Sequence, residues 1–205
     1  MLDIGDPGPG VARAWEILSA RKPQEVCTGA RVRIDRESGA YVIESFGCEY
    51  LVNTEPRSVT PRNTQGLLVS ERLAYFFLHS VVWYLGHALD FPDTGRLVKP
   101  EGLKGGANFF TGAHALPLPE IAARYNPLRG GFLEKGLSLG GVRADYADES
   151  VTLRPLPGVS ACLLLWYGDD EFEPRADLLF DSSIEVRLPL DVIWSVAMMT
   201  TLAVL

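Results

Sequence analysis

Val151–Asp181, VTLRPLPGVSACLLLWYGDDEFEPRADLLFD, carries the architecture of this chain in three apolar runs. Val151–Leu153, Val159–Tyr167 and Ala176–Asp181 are β-rich or continuously apolar and too short for helices, so they read as strands. Pro155-Leu156-Pro157-Gly158 turns the first into the second, and an acidic segment joins the second to the third. Strands that follow one another through short connections pair antiparallel. Downstream, Pro189 opens a C-terminal helix with Asp191 in its first turn. Upstream, Pro119 starts a helix running to Tyr125, and Asn126–Leu139 reads as a second one weakened by Gly130 and Gly131.

Farther upstream, Asp90–Gly112 reads as loop, with short extended pieces at Arg96–Lys99 and Ala107–Phe110. Leu73–Leu85, LAYFFLHSVVWYL, is apolar on nearly every side, as befits a helix surrounded by protein. Ser70 or a neighbour is the expected cap, and the helix is expected to run through about Ala88. Asn53–Thr64 reads as a polar connector. Before it, Arg31–Asp35, Tyr41–Phe46 and Cys48–Val52 form a β-meander in which Cys48, Tyr50 and Val52 share a face. Val11, Trp15 and Leu18 mark an amphipathic helix stopped by Pro23. Strands grouped with strands argue α+β. The expected architecture is a single domain: an N-terminal helix and β-meander (11–56), a buried central helix, and an antiparallel sheet closed by a C-terminal helix. The main body runs 66–205, and residues 1–10 read as a loose lead-in.

The chain has 205 residues, 47% hydrophobic and 22% charged, enough for a sizeable core. Its net charge of −7, with no basic run, argues against a nucleic-acid partner, which needs clustered positive charge. Three scattered cysteines, Cys27, Cys48 and Cys162, encode neither a disulfide framework nor an iron–sulfur or zinc motif. With no signal peptide, they favour a reducing, cytoplasmic setting. Leu73–Leu85 and Val192–Leu205 are too short to span a bilayer, which takes about 20 apolar residues. The C-terminal run suits either core or a subunit interface, so oligomeric state stays open.

Six acids, Asp169, Asp170, Glu171, Glu173, Asp177 and Asp181, lie within 13 residues with Arg175 as the one base. Such a cluster is either a solvated turn, with Arg175 pairing one carboxylate, or a seat for something positive. As a metal site, Asp169, Asp170, Glu171 and Asp181 would supply hard oxygen ligands for Mg²⁺ or Ca²⁺, although no EF-hand spacing is present. Asp181, followed by Ser182 and Ser183, makes a polar strand end for a ligand or a turn cap. His79 and His87 are eight apart and about 80° apart in projection, which rules out a shared metal. His79 alone, with Trp83 alongside, reads as a core histidine or as an axial ligand to a tetrapyrrole. His114 stands in a loop with no nucleophile nearby in sequence. Trp166 and Tyr167 suit the core or the wall of a pocket for a flat ligand. Gly158-Val159-Ser160-Ala161-Cys162 lacks the strand–turn–helix context of a nucleophile elbow.

From about Gly29 onward the chain resembles the bacterial and archaeal domain-of-unknown-function family numbered 3786. The resemblance rests on ERLAYFFLHSVVWYL, GLKGGANFF, LSLGG and, most specifically, LRPLPGVSACLLLWYGDDEFEPRADLLFDSSIEVRLPLDVI with its D-D-E-F and F-D-S-S elements. It implies no assigned activity. Members occur mostly in anaerobes, some behind an iron–sulfur domain, which implies company with redox or corrinoid and one-carbon metabolism. This chain lacks that domain's cysteines, so any cluster would come from a partner. Two functional expectations follow. One is a non-catalytic accessory module that docks a cofactor, a corrinoid or other tetrapyrrole included, or a redox-protein partner. Its ligand site would comprise His79, Trp166, Asp169, Asp170, Glu171, Asp181 and Ser182. The other is a divalent-metal-dependent hydrolase or lyase built on the Asp169–Asp181 carboxylates.

Overall fold

A computed structural model describes residues 8–87 and 89–205. Residues 1–7 of the expected lead-in and Ala88, the expected end of the central helix, lie outside these. Gly8–Gly10 already belong to the first helix, α1 (Gly8–Ala20), which buries Val11, Trp15 and Leu18 as its spacing requires. Pro23 does more than end that helix. It occupies the first turn of a second, α2 (Pro23–Ala30), where its missing N–H costs nothing.

Four strands follow as an antiparallel meander: β1 (Arg33–Ile34), β2 (Tyr41–Ser45), β3 (Cys48–Asn53) and β4 (Ser58–Pro61). Tyr41 pairs with Val52, Ile43 with Tyr50 and Ser45 with Cys48, so one face carries the buried set. The fourth strand falls where the sequence reads as connector. Its proline closes an edge strand, the one place in a sheet where a missing N–H is tolerated.

The central helix α3 (Thr64–His87) starts earlier than its apolar run. Asn63, not Ser70, caps it by accepting the Gly66 N–H at 2.7 Å, and the helix is interrupted at Ala74, whose φ is 42°. It packs between α1 and the C-terminal helix, with Phe77, Val81, Val82 and Leu85 fully buried. Gly86 is where α1 crosses, because a Cβ there would lie 3.3 Å from Ile17 Cγ2.

The second sheet has the order β5-β9-β8-β7-β6, antiparallel throughout, from β5 (Leu97–Val98), β6 (Val142–Arg143), β7 (Glu149–Leu156), β8 (Val159–Trp166) and β9 (Arg175–Asp181). Three short helices lie in the connection from β5 to β6, α4 (Gly106–Phe109), α5 (Leu118–Tyr125) and α6 (Gly131–Ser138), and α7 (Ile184–Arg187) leads from β9 to the C-terminal helix. The first of these replaces the extended piece expected at 107–110. Gly130 takes φ 87° just before α6, so the glycines that weaken 126–139 as a helix mark its start. The C-terminal helix α8 (Leu190–Val204) is core, with Val192, Val196, Ala197, Met199 and Val204 fully buried. Among the described residues no helix is long and apolar enough to cross a membrane. The fold is α+β, as the grouping of strands and helices requires.

The two sheets meet at a seam. Phe46 and Gly47 form the two-residue turn between β2 and β3, both with positive φ (49° and 71°). The Phe46 N–H donates to Arg154 O at 3.0 Å and Ser45 Oγ to Pro155 O at 2.7 Å, both acceptors lying in the β7 bulge. Gly140 closes the seam, since a Cβ there would sit 2.9 Å from Gly47 Cα.

Candidate ligand site

The last residue pair of the β8–β9 ladder is Trp166 with Arg175, and residues 167–174 make the connection. Asp169 organises that loop: its Oδ1 accepts the N–H groups of Glu171 (2.9 Å) and Phe172 (2.8 Å), and its own N–H donates to Phe172 O (3.0 Å). Those backbone donors hold its carboxyl below the usual aspartate range. Gly168 pinches the loop shut, because a Cβ there would meet Pro174 Cδ at 2.8 Å. The folded loop pushes Phe172 out to 69% exposure, an uncommon position for a large apolar ring.

Beneath it lies a cavity of about 440 Å³ with aromatic walls from Trp166, Tyr167 and Phe172. Its polar lining is Asp148, Asp169 and Glu173 against Arg175 alone, an excess of negative charge. Arg175 ion-pairs with none of these acids among the described residues, contrary to the pairing expected from its place in the sequence. Its guanidinium lies over the Trp166 ring instead, 4.1 Å from the centroid. The neighbouring ring repeats the arrangement, with Arg129 4.1 Å from the centroid of Tyr167.

Tyr167 is fixed from behind. Its N–H donates to Asp148 Oδ2 at 2.9 Å and its hydroxyl donates to Glu149 Oε1. Burial, then the Glu149 carboxylate, raises the Tyr167 pKa, so the hydroxyl stays protonated and donates. Glu149 is itself buried and accepts the N–H groups of Gly130 and Leu133 at the start of α6. The pocket wall thus rests on a helix end capped by a carboxylate from the neighbouring strand.

Of the seven residues expected to form one site, Trp166 and Asp169 meet at this cavity. Asp170 and Glu171 are exposed on the same loop and point no carboxylate into it. Asp181 and Ser182 lie at the other end of β9, six residues from Arg175 and so about 20 Å away at about 3.3 Å per strand residue. The strand that makes these acids neighbours in sequence separates them in space. Asp181 is also saturated: it accepts Thr94 N (3.0 Å), Thr94 Oγ1 (3.0 Å), Gly95 N (2.7 Å) and Ser183 N (2.9 Å). Burial opposes its charge, but these donors outweigh it and hold the carboxyl far below the usual range. Ser182 joins this tie through Thr94 Oγ1 at 2.8 Å. The expected four-carboxylate metal site is therefore not assembled, and among the described residues no three His, Cys, Asp or Glu side chains converge on a metal position.

His79 belongs to a different neighbourhood. It stacks on Tyr75 (5.3 Å) and leans on Trp83 (6.1 Å), which stacks on His87 (4.6 Å), a column at i, i+4 spacing along α3. His79 is 7% exposed, its Nδ1 has no hydrogen-bond partner, and a Cβ on Gly10 of α1 would lie 3.7 Å from Nε2. Packed against Tyr75, Trp83 and the first turn of α1, it has the setting of a core histidine. Burial lowers its pKa, partly offset by Asp191. His114 is packed too, stacked 4.4 Å from Phe109 and edge-on to Trp194.

Residues 22–203 match the family described as domain of unknown function DUF3786. The chain belongs to that family. No curated protein and no solved structure matches it. The DUF3786 region contains the whole β8–β9 hairpin, its acidic loop and the cavity beneath. Sequence reasoning missed Asp148, Phe172, Glu173 and Arg175 as lining residues. Asp148 reaches the cavity because Glu149 pairs with Leu165 across the ladder, a register that the sequence pattern does not announce.

Proposed function

We propose that this DUF3786 protein is a non-catalytic binding module whose β8–β9 cavity takes a cationic group, a guanidinium or an organic ammonium, from a partner protein or small cofactor. The observation that carries the reading is the Arg175 guanidinium over Trp166 in a cavity that otherwise bears Asp148, Asp169 and Glu173. A cation on an aromatic face, ringed by carboxylates, is a recognition geometry. An active site would need an acid, a base and a nucleophile or electrophile converging on one point. Arg175 is exposed and anchored by no ion pair among the described residues, so an incoming cation has a seat from which only a tethered guanidinium must move. An origin of that partner or cofactor in redox or corrinoid and one-carbon metabolism rests on the company the family keeps.

The test is a fluorescence and calorimetric titration with arginine methyl ester and with tetramethylammonium at low salt. Saturable binding is expected, weakened about tenfold by Trp166→Ala, the loss of one partly desolvated cation–π contact. Asp169→Asn should weaken it as well, and added salt should screen it. Equal binding by wild type and Trp166→Ala, or none in either, would end this reading.

A further inference from the structure

We infer a second, oppositely charged site: an oxyanion seat at the turn between β7 and β8, at the opposite end of that hairpin from the cation cavity. A cavity of about 520 Å³ opens there, between the meander and the second sheet, and Arg31, Arg33 and Arg154 all line it. Behind it stands a fourth guanidinium, Arg187, only 4% exposed. Both Arg31 and Arg187 present Nη1 to Gly158. A Cβ on that glycine would collide with Arg187 Nη1 and lie 3.2 Å from Arg31 Nη1. Gly158 also has φ 67°, so the turn both requires a glycine and uses its bareness to let two cations converge.

The local acids engage the other nitrogens. Arg187 gives Nη2 to Asp93 at 2.8 Å and to Phe91 O. Arg31 gives Nε to Asp90 at 2.8 Å and Nη2 to Phe91 O at 3.3 Å. Glu49 takes Arg33 at 2.5 Å. Left over are the two Nη1 groups and Arg187 Nε, which is buried without a partner. Arg154 makes no ion pair among the described residues. Arg31 is held at φ 53°, an unusual conformation for a residue with a side chain, which places its guanidinium beside the buried one. Asp90 and Asp93 each offset one of the two converging guanidiniums, while Arg154 adds a positive charge that no local acid among the described residues takes. Planar guanidinium edges suit the oxygens of a carboxylate or phosphate, and Ser160 on the same wall offers a hydroxyl. Glu44, Glu49 and Asp93 also line the cavity and would repel a bulky polyanion, so the ligand is a compact oxyanion.

The experiment is calorimetric titration of the full chain with inorganic phosphate and, separately, with malonate, at ionic strength matched by chloride. One-to-one binding of either anion is expected, with Arg154→Ala and Arg31→Ala each weakening it about tenfold through loss of a charged hydrogen bond. Arg154 is exposed, so its variant keeps the test decisive if Arg31→Ala fails to fold. Phosphate alone would assign a phosphoryl ligand, malonate alone a carboxylate, and both a general oxyanion seat. Binding no stronger than that of chloride, or undiminished in Arg154→Ala, would overturn the inference. Trp166→Ala should leave anion binding unchanged, which separates this site from the cation cavity.

Discussion

Replacing Asp181 by asparagine tests the conclusion that this carboxylate is a structural tie between β9 and residues 94–95. Asparagine has nearly the same shape but presents an NH₂ where one carboxylate oxygen accepted donors. The variant would set that NH₂ against either Gly95 N–H or the Thr94 and Ser183 donors and remove the charge on which all four bonds depend. A hydrogen bond to a charged group contributes about 1.5–3 kcal/mol, and Thr94 and Gly95 are exposed enough for water to recover part of the loss. With that part recovered, the expected loss is about 2–3 kcal/mol. The folded-state pKa lies below the unfolded one. The stabilisation is therefore complete above the unfolded value of about 3.9 and is lost as pH falls through the folded one. Urea unfolding should show Asp181→Asn less stable by this amount at neutral pH, with the gap narrowing as pH drops below about 4. Equal stability at neutral pH, or a gap that ignores pH down to about 3, would refute the reasoning.

Gly136→Ala should cost about 1–3 kcal/mol, because its Cβ would lie 2.6 Å and 2.7 Å from the two methyls of Val151 where α6 meets β7. A thermal melt showing no loss would mean that α6 can retreat from the sheet. His79→Phe should flatten the acid limb of stability. The buried imidazole has a lowered pKa, so wild type loses stability as pH falls below about 6.5 toward the folded value, while phenylalanine has no proton to take up. Melting temperatures from about pH 8 to pH 5 should diverge accordingly, and parallel profiles would contradict the burial argument.

Most of the fold was legible because its elements are written in local pattern. The alternation of Cys48, Tyr50 and Val52, the i, i+4, i+7 stripe of α1 and the continuous apolar run of β8 each state their own environment. The residues that misled do so where tertiary contacts decide. Pro23 reads as a stop, yet a proline suits the first turn of the next helix equally well. Ser58–Pro61 looks polar because an edge strand needs one good face and one partner, and β3 supplies both. The candidate site was half legible. Trp166 and Asp169 lie within four residues and stay together in any fold. Asp181 joined them only on the assumption that 13 residues of sequence stay close, which an intervening seven-residue strand forbids. His79 reads from sequence as a core histidine first and a ligand second, and its packing against Tyr75 and Trp83 cannot be seen in the sequence.

The seam between the sheets also imposes a timetable on synthesis. Ser45 and Pro155, which it joins, are 110 residues apart. A hairpin such as β2–β3 forms in about 1–10 μs, whereas a ribosome adding about 5–20 residues per second needs roughly 5–20 s to make the interval. Throughout that wait Phe46, whose burial depends in part on the β7 bulge and on Gly140, sits on a finished turn with no partner to cover it. The nascent chain therefore carries an undocked apolar corner for about a million or more hairpin formation times, and docking becomes available only once the β7 bulge has emerged.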